Sequence, residues 1–126
     1  MQLRVRYQET DNMGVVYYAN YFVWLEVART EYLRAGGISY RQLEEKGVYL
    51  MVVSASCQYK YPARYDDIVR IQSWVSNVKN SSLKFEYKLF VEKRLIATGE
   101  SVHVATNLSC KPIRILEELK KLISSN

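Results

Sequence analysis

Histidine, cysteine and long apolar runs are all scarce in this sequence. His103 is the single histidine, so one chain cannot form a zinc site with three histidines. Cys57 and Cys110 lie far apart and match no metal-ligand spacing. No apolar run reaches the roughly 18 residues of a membrane span, and the opening residues lack the apolar segment of a signal peptide. We therefore expect a cytoplasmic protein with two reduced thiols, no metal, no other cofactor and no membrane span.

Glycine-rich phosphate motifs are absent too. Neither G-x-x-x-x-G-K-[ST] nor G-x-G-x-x-G occurs, which argues against a phosphate loop or a dinucleotide fold. The formal net charge of +5 would attract anions, including nucleic acids, but the cations are scattered along the chain. Aromatic residues fall on predicted buried faces, so core packing explains them better than stacking on bases does. We expect no nucleic-acid partner.

The sequence has enough apolar residues for one packed domain spanning residues 1–126. Hydrophobic residues make up 48% of it and charged residues 25%. Alternating and helical patterns predict an α+β fold. The predicted elements are a strand at 3–9, helices at 20–35 and 39–46, strands at 53–61, 68–78, 83–91 and 95–107, and a last helix from Pro112 to about Ile123.

The predicted helix at 20–35 has an unusual distribution of apolar residues. Asn20 is a plausible N-cap, and Gly36-Gly37 is a plausible stop. The first half, 21–25, is apolar on nearly every side, so we expect the helix to be enclosed by the strands. Such a sheet would leave edge strands open, and pairing of edges between subunits predicts at least a dimer.

The segment from Asp11 to Asn20 combines residues that suit acyl-transfer chemistry. Asp11 lies on a loop between a strand and a helix start, where it could act as a nucleophile or as a base toward water. Free N–H groups at the helix start could stabilise an oxyanion. Gly14 permits a sharp backbone path. An Asp-Asn-x-Gly run is also common in ordinary turns, so the spacing alone leaves both interpretations open.

A longer string around this segment carries a family resemblance. The run T-D-N-M-G-V-V-Y-Y-A-N-Y at 10–21, the run E-V-A-R-T-E at 26–31 and the Y-P-A-R-Y-D-D turn at 61–67 resemble the 4-hydroxybenzoyl-CoA thioesterase family. The similarity is greatest to its YbgC-like acyl-CoA thioesterases. The resemblance implies a hotdog fold, in which a five-stranded antiparallel sheet wraps around a long central helix. It also implies an edge-to-edge homodimer, often a homotetramer, that hydrolyses acyl-CoA to a free acid and CoA without a metal.

The resemblance also implies roles for three residues. Asp11 matches the catalytic aspartate of the family, and Gly14 matches its glycine. Tyr18 matches a Tyr or His position whose backbone N–H polarises the thioester carbonyl. Because the sequence has Tyr18 rather than histidine, assistance by an imidazole there is in doubt. Whether Asp11 is the nucleophile or the general base stays open.

Two turns are candidates for binding the phosphates and adenine of CoA. They offer cations and hydroxyls, and the resemblance places nucleotide contacts in the same regions. Their candidate residues are Lys79, Ser81 and Ser82 in the first turn, and Lys111 and Arg114 in the second. Four aromatic residues are candidates for shaping the acyl pocket: Phe22, Trp24, Tyr59 and Tyr61.

Several alternatives accompany this interpretation. A Cys57–His103 dyad is conceivable, although a strand histidine with an ordinary hydrogen bond is commoner. Glu26 could be a second carboxylate in the pocket, but an ion pair with Arg29 on the same helix is the simpler expectation. The protein could also bind acyl-CoA or an acyl-carrier protein without cleaving it. A hotdog dehydratase is less favoured, because its histidine-bearing motif is missing. Asp11 in the full motif favours the enzyme.

Overall fold

The computed structural model describes the backbone of residues 1–124 and the side chains of residues 1–121. The elements in chain order are β1 (Gln2–Arg4), a 3₁₀ turn (Tyr7–Glu9), α1 (Asn20–Ala35), α2 (Tyr40–Glu45), β2 (Tyr49–Tyr59), β3 (Ile68–Val78), β4 (Ser82–Val91), β5 (Arg94–Thr106) and α3 (Glu117–Ser124). Among these residues, no helix is both long enough and apolar enough to cross a membrane.

The five strands form one antiparallel sheet, which confirms the predicted sheet and the α+β class. The strand order is β1-β3-β4-β5-β2, so β1 and β2 are the edges. Strands β3, β4 and β5 form a meander in which short turns join neighbouring strands. The inward side chains of β4 are Leu83, Phe85, Tyr87 and Leu89, all of them buried.

Helix α1 packs against one face of this sheet. Trp24, Leu25 and Leu33 are fully buried there. A Cβ atom added at Gly99 of β5 would lie 3.1 Å from Leu25 Cδ1 and 3.2 Å from a backbone oxygen of β2. A side chain at Gly99 would therefore push α1 away from the sheet, and glycine permits the close approach.

The opposite face of α1 is not enclosed, which corrects the expectation of burial on every side. Val23 and Val27 are 50% and 42% exposed, because the sheet of one chain covers only one face of the helix. The predicted cap is also wrong. Asn20 is the first helical residue, and the N-cap is Ala19, whose side chain has no hydrogen-bonding atom.

Three element boundaries differ from the predictions. The strand predicted at 3–9 ends at Arg4, because the Glu9 side chain accepts a hydrogen bond from the Arg6 N–H and favours a 3₁₀ turn. Strand β2 begins at Tyr49 rather than at residue 53. The last helix begins at Glu117 rather than near Pro112, since Pro112 pairs with the end of β5 in an isolated bridge.

A chain of buried polar groups links α1 to the sheet. Arg29 donates to the Tyr40 and Tyr87 hydroxyls, each at 3.1 Å. The Tyr87 hydroxyl bonds to Ser101 Oγ at 2.8 Å, and Ser101 Oγ bonds to His103 Nε2 at 2.8 Å. The expected Glu26–Arg29 ion pair is absent among the described residues, because Arg29 turns inward and is 8% exposed. His103 likewise contacts Ser101 rather than forming a dyad with Cys57.

Burial of His103 predicts a loss of stability in mild acid. Burial, together with the nearby Arg29 charge, lowers the pKa of His103 to about 4. An unfolded chain, with an ordinary histidine pKa near about 6.5, binds a proton first as the pH falls. We expect this residue to lower the free energy of unfolding by about 2 kcal/mol between pH 7 and pH 5, as measured by urea unfolding.

The matched variant for this prediction is His103→Gln, which keeps a hydrogen-bonding group near Ser101 but does not titrate. The pH 7 to pH 5 difference in unfolding free energy should shrink by the same about 2 kcal/mol in this variant. An equal pH dependence in both proteins would contradict the prediction.

Candidate active site

The loop between the 3₁₀ turn and α1 forms a compact hairpin around Asp11. Thr10 pairs with Val16 in an antiparallel bridge, and the Asp11 N–H donates to the Val15 carbonyl at 2.8 Å. The Gly14 N–H donates to the Asp11 carbonyl at 3.0 Å. Gly14 has a φ of +80°, a left-handed conformation that favours glycine. The turn predicted from Asp-Asn-Met-Gly is therefore formed, and Gly14 closes it.

The Asp11 carboxylate is half-buried and has spare accepting capacity. Its Oδ1 accepts a hydrogen bond from the Met13 N–H at 2.8 Å. Its Oδ2 has no protein partner, and Asp11 forms no ion pair within the described part of the chain. One oxygen thus fixes the side chain, and the other is available to react.

The start of α1 presents two free backbone donors. The N–H groups of Asn20, Tyr21 and Phe22 donate to carbonyls three residues earlier. By contrast, no acceptor for the N–H groups of Tyr18 and Ala19 is found among residues 1–121. Because the N-cap offers no side-chain acceptor, these donors keep the partial positive charge of a helix start.

Glu9 holds the Asp11 hairpin and the helix start together. Its carbonyl accepts from the Tyr17 N–H and from Asn20 Nδ2, each at 2.9 Å. The residue is 6% exposed, and its carboxylate accepts from Trp24 Nε1 and from the Arg6 N–H, each at 2.8 Å. Sequence reasoning missed Glu9, since no local pattern shows that a residue on α1 fifteen positions later supplies its partner.

We expect Glu9→Ala to destabilise the protein strongly. The substitution leaves the buried Trp24 Nε1 and the Arg6 N–H without acceptors and creates a cavity, so the free energy of unfolding should fall by about 3 kcal/mol. Urea unfolding measures this. Glu44→Ala, at an exposed position on α2, is the control and should change stability by less than about 0.5 kcal/mol. Equal effects of the two substitutions would show that Glu9 is not the anchor.

A tyrosine-rich cleft of about 280 Å³ opens beside the start of α1. It is lined by Val16, Tyr18, Tyr21, Tyr59, Lys60, Tyr61 and Pro62. Two of the four pocket candidates, Tyr59 and Tyr61, therefore lie on its wall. Phe22 and Trp24 do not, because both pack toward the core. Asp11 is not part of this wall in the single chain, although the same hairpin carries both Asp11 and Val16.

The two turns proposed for CoA lie side by side. The Ile115 N–H donates to the Asn80 carbonyl at 2.8 Å, and the Ala105 N–H donates to the Ser81 carbonyl at 2.8 Å. Lys79, Lys111 and Arg114 are exposed on this surface, whereas Ser81 and Ser82 are half-buried.

Within one chain, however, these turns lie far from Asp11. The Asp11 hairpin contacts the loop before β3, where Val15 bridges Arg64, whereas Lys79 follows the last residue of β3. Strand β3 has eleven residues, which corresponds to a length of about 35 Å. The structure thus joins the two turns to each other and separates both from Asp11.

A second group of cations, which sequence reasoning missed, lies at the Asp11 end of the sheet. An open cleft of about 490 Å³ shares Tyr61 and Pro62 with the tyrosine-rich cleft. Its charged lining residues are Arg64, Lys93, Arg94, Asp67 and Glu92. Arg94 already stacks over the Tyr61 ring at 4.5 Å. Two carboxylates offset much of the positive charge, so this cleft is a weaker phosphate site than its cations alone suggest.

A helix on one face of a five-stranded antiparallel sheet, with a carboxylate loop leading to free N–H groups, is the architecture of a thioesterase-type α+β domain. Comparison with known proteins identifies the family. Residues 5–123 match the thioesterase-like superfamily, and the chain belongs to that family.

Similar curated proteins and solved structures confirm the resemblance to 4-hydroxybenzoyl-CoA thioesterases. The acyl-CoA thioesterase YbgC of Haemophilus influenzae is 36% identical over 121 residues, covering 94% of this chain and 88% of the relative. YbgC of Escherichia coli O6:H1, an acyl-CoA thioester hydrolase, is 36% identical over 112 residues, covering 87% and 84%. The crystal structure of a DHNA-CoA thioesterase from Staphylococcus aureus superposes with a TM-score of 0.92 at 32% identity, covering 99% and 87%.

Proposed function

We propose that this protein hydrolyses acyl-CoA thioesters to a free acid and CoA. The observation that carries the proposal is that one loop holds both Asp11, with an unpartnered carboxylate oxygen, and the Tyr18 and Ala19 N–H groups, which have no acceptor among the described residues. A tyrosine-rich cleft beside that helix start can receive the acyl group. Membership of the thioesterase-like superfamily and the acyl-CoA thioesterases among the relatives support the same activity.

In the proposed reaction the thioester carbonyl oxygen accepts a hydrogen bond from the Tyr18 N–H, which stabilises the developing oxyanion. Asp11 then either attacks the carbonyl carbon or removes a proton from an attacking water. In the first route the C–S bond breaks, CoA leaves as a thiolate that takes up a proton, and water hydrolyses the mixed anhydride. In the second route the water oxygen forms the new C–O bond while Asp11 takes its proton, the C–S bond breaks, and this proton passes to the departing CoA thiolate. Neither route uses a metal or another cofactor.

The assembly we propose is a hotdog dimer joined through β2. This edge strand has eleven residues, and Met51, Val52 and Val53 on it are 41–57% exposed. The uncovered apolar residues of α1, Val23 and Val27, are exposed in the same single chain. Antiparallel pairing of two β2 strands would satisfy the open edge, extend the sheet to ten strands around the two α1 helices and bury apolar surface. The family resemblance extends this dimer to a homotetramer.

Such pairing would also bring the separated parts of the site together. Tyr49 at the start of β2 pairs with Thr106, beside the turns that carry Lys79 and Lys111, whereas Tyr59 at its end lies beside Tyr18. In an antiparallel pair, the β2 strand of the second copy runs in the opposite direction. The Asp11 end of one copy would then lie next to the Lys79 and Lys111 end of the second copy, and we propose that each CoA binds across the two.

A thiol-release assay with acetyl-, butyryl-, octanoyl- and benzoyl-CoA tests the proposed function. We expect release of free CoA from at least one of the four, and light scattering should give a dimer or tetramer mass. Tight binding of an acyl-CoA without thiol release would favour the non-catalytic binding module instead. A protein that neither binds nor cleaves any of the four substrates would reject both functions.

A further inference from the structure

Tyr59 connects the end of β2 to the start of α1. Its hydroxyl donates to the Tyr18 carbonyl at 3.1 Å. Its ring stands edge-on to Tyr18, with centroids 6.4 Å apart, and edge-on to Tyr21, with centroids 4.9 Å apart. A phenylalanine could make the same ring contacts, so the hydrogen bond is what the tyrosine hydroxyl adds at this corner of the cleft.

The Tyr18 carbonyl, which accepts this hydrogen bond, belongs to the same peptide unit as the Ala19 N–H. This unit is planar, and in a trans peptide the two groups point in opposite directions. Two donors hold the carbonyl, the Tyr59 hydroxyl at 3.1 Å and the Tyr21 N–H at 3.2 Å. The plane of the peptide is thereby fixed. The Ala19 N–H therefore points away from Tyr59. It follows the Tyr18 N–H in the chain, and neither N–H group has an acceptor among residues 1–121.

A hydrogen bond to a carbonyl also polarises its amide and strengthens the N–H as a donor. We propose that Tyr59 is a positioning residue for hydrolysis: its hydroxyl fixes and polarises the Tyr18–Ala19 peptide, which makes the Ala19 N–H a second donor to the thioester carbonyl oxygen. The inference rests on the proposed function and adds to it a second donor and the side chain that orients this donor.

The hydroxyl can serve as a donor from pH 6 to pH 9. Partial burial raises the pKa of Tyr59 to about 12, with Cys57 adding to the effect. The phenol therefore remains a protonated donor between pH 6 and pH 9. A contribution from it to turnover should be the same at every pH in that interval.

Tyr59→Phe tests the role, because it removes the hydroxyl and keeps the ring contacts. We expect kcat for the best substrate of the four-member panel to fall about tenfold at each pH from 6 to 9, with KM changed less than about twofold. Tyr7→Phe is the matched control, since it removes an exposed phenol hydroxyl outside the cleft, and it should retain the wild-type kcat.

A spectroscopic measurement separates positioning from a merely structural contribution. Asp11→Asn should hold the same substrate, labelled with ¹³C at its carbonyl, long enough for difference infrared spectroscopy. Adding Tyr59→Phe to that variant should raise the carbonyl stretching frequency, because the bound carbonyl is less polarised. Wild-type kcat in Tyr59→Phe, or an unchanged frequency, would overturn the inference while leaving the hydrolase intact. Failure of the wild-type protein to cleave any panel member would instead reject the proposed function.

Discussion

Replacing Asp11 with asparagine should lower kcat for acyl-CoA hydrolysis at least about a hundredfold, the usual scale for removing a positioned catalytic group. Asparagine retains an oxygen that can accept from the Met13 N–H, so the Asp11–Gly14 turn should persist. Its amide cannot attack the carbonyl as a carboxylate does, nor can it take a proton from water. Because the residue does not hold CoA in this proposal, KM should change little. Thiol release under saturating substrate measures the effect.

Asp66→Asn provides the control for this result. Asp66 has an exposed carboxylate that forms an ion pair with Arg4 at 3.1 Å. Its replacement by asparagine is therefore the same chemical change at an exposed position. The Asp66 backbone has a φ of +73°, which asparagine also adopts, so folding should be unaffected. We expect its kcat to stay within about twofold of the wild-type value, since exposed ion pairs contribute little. Equal turnover of the two variants would remove Asp11 from the reaction.

The sequence predicted the central strands well because their burial is decided locally. Alternation in β4 placed Leu83, Phe85 and Tyr87 on one face, and all three are buried. The same reasoning failed for β2, where Val53 is 57% exposed despite an alternating pattern. The difference is topological: β4 has neighbours on both sides, and β2 is an edge. Which strand becomes an edge depends on pairings between distant segments.

The candidate site likewise has a part that could be predicted from local sequence and a part that could not. The turn from Asp11 to Gly14 was predictable, since an Asx side chain and a left-handed glycine act within four residues. The contacts of Glu9 with Trp24 and of Tyr59 with Tyr18 span 15 and 41 residues and leave no local pattern. The sequence also could not show that the CoA turns lie a strand length from Asp11. That separation is what makes a second copy of the chain necessary to the proposed site.

Mixing two inactive variants should therefore restore activity. Asp11→Asn lacks the attacking group, and a Lys79→Glu/Lys111→Glu double variant should bind the phosphates of CoA poorly through charge repulsion. In a mixed dimer, one site carries both defects. The other combines the intact Asp11 of one copy with the intact Lys79 and Lys111 of its partner, and this site should work normally.

Random re-association at equal concentrations yields about half mixed dimers, each with one working site, so about a quarter of the wild-type activity should return. The two variants are unfolded together and refolded, and each is refolded alone as its control. A site contained in a single chain predicts a different result, because every copy in the mixture would then keep its own defect. Phosphate binding at Arg64, Lys93 and Arg94 would also give no recovery, since those cations lie at the Asp11 end of the same copy. Recovery thus requires both the β2-paired assembly and the CoA site at Lys79 and Lys111. If the mixture is no more active than the sum of the two separately refolded variants, that combination is excluded.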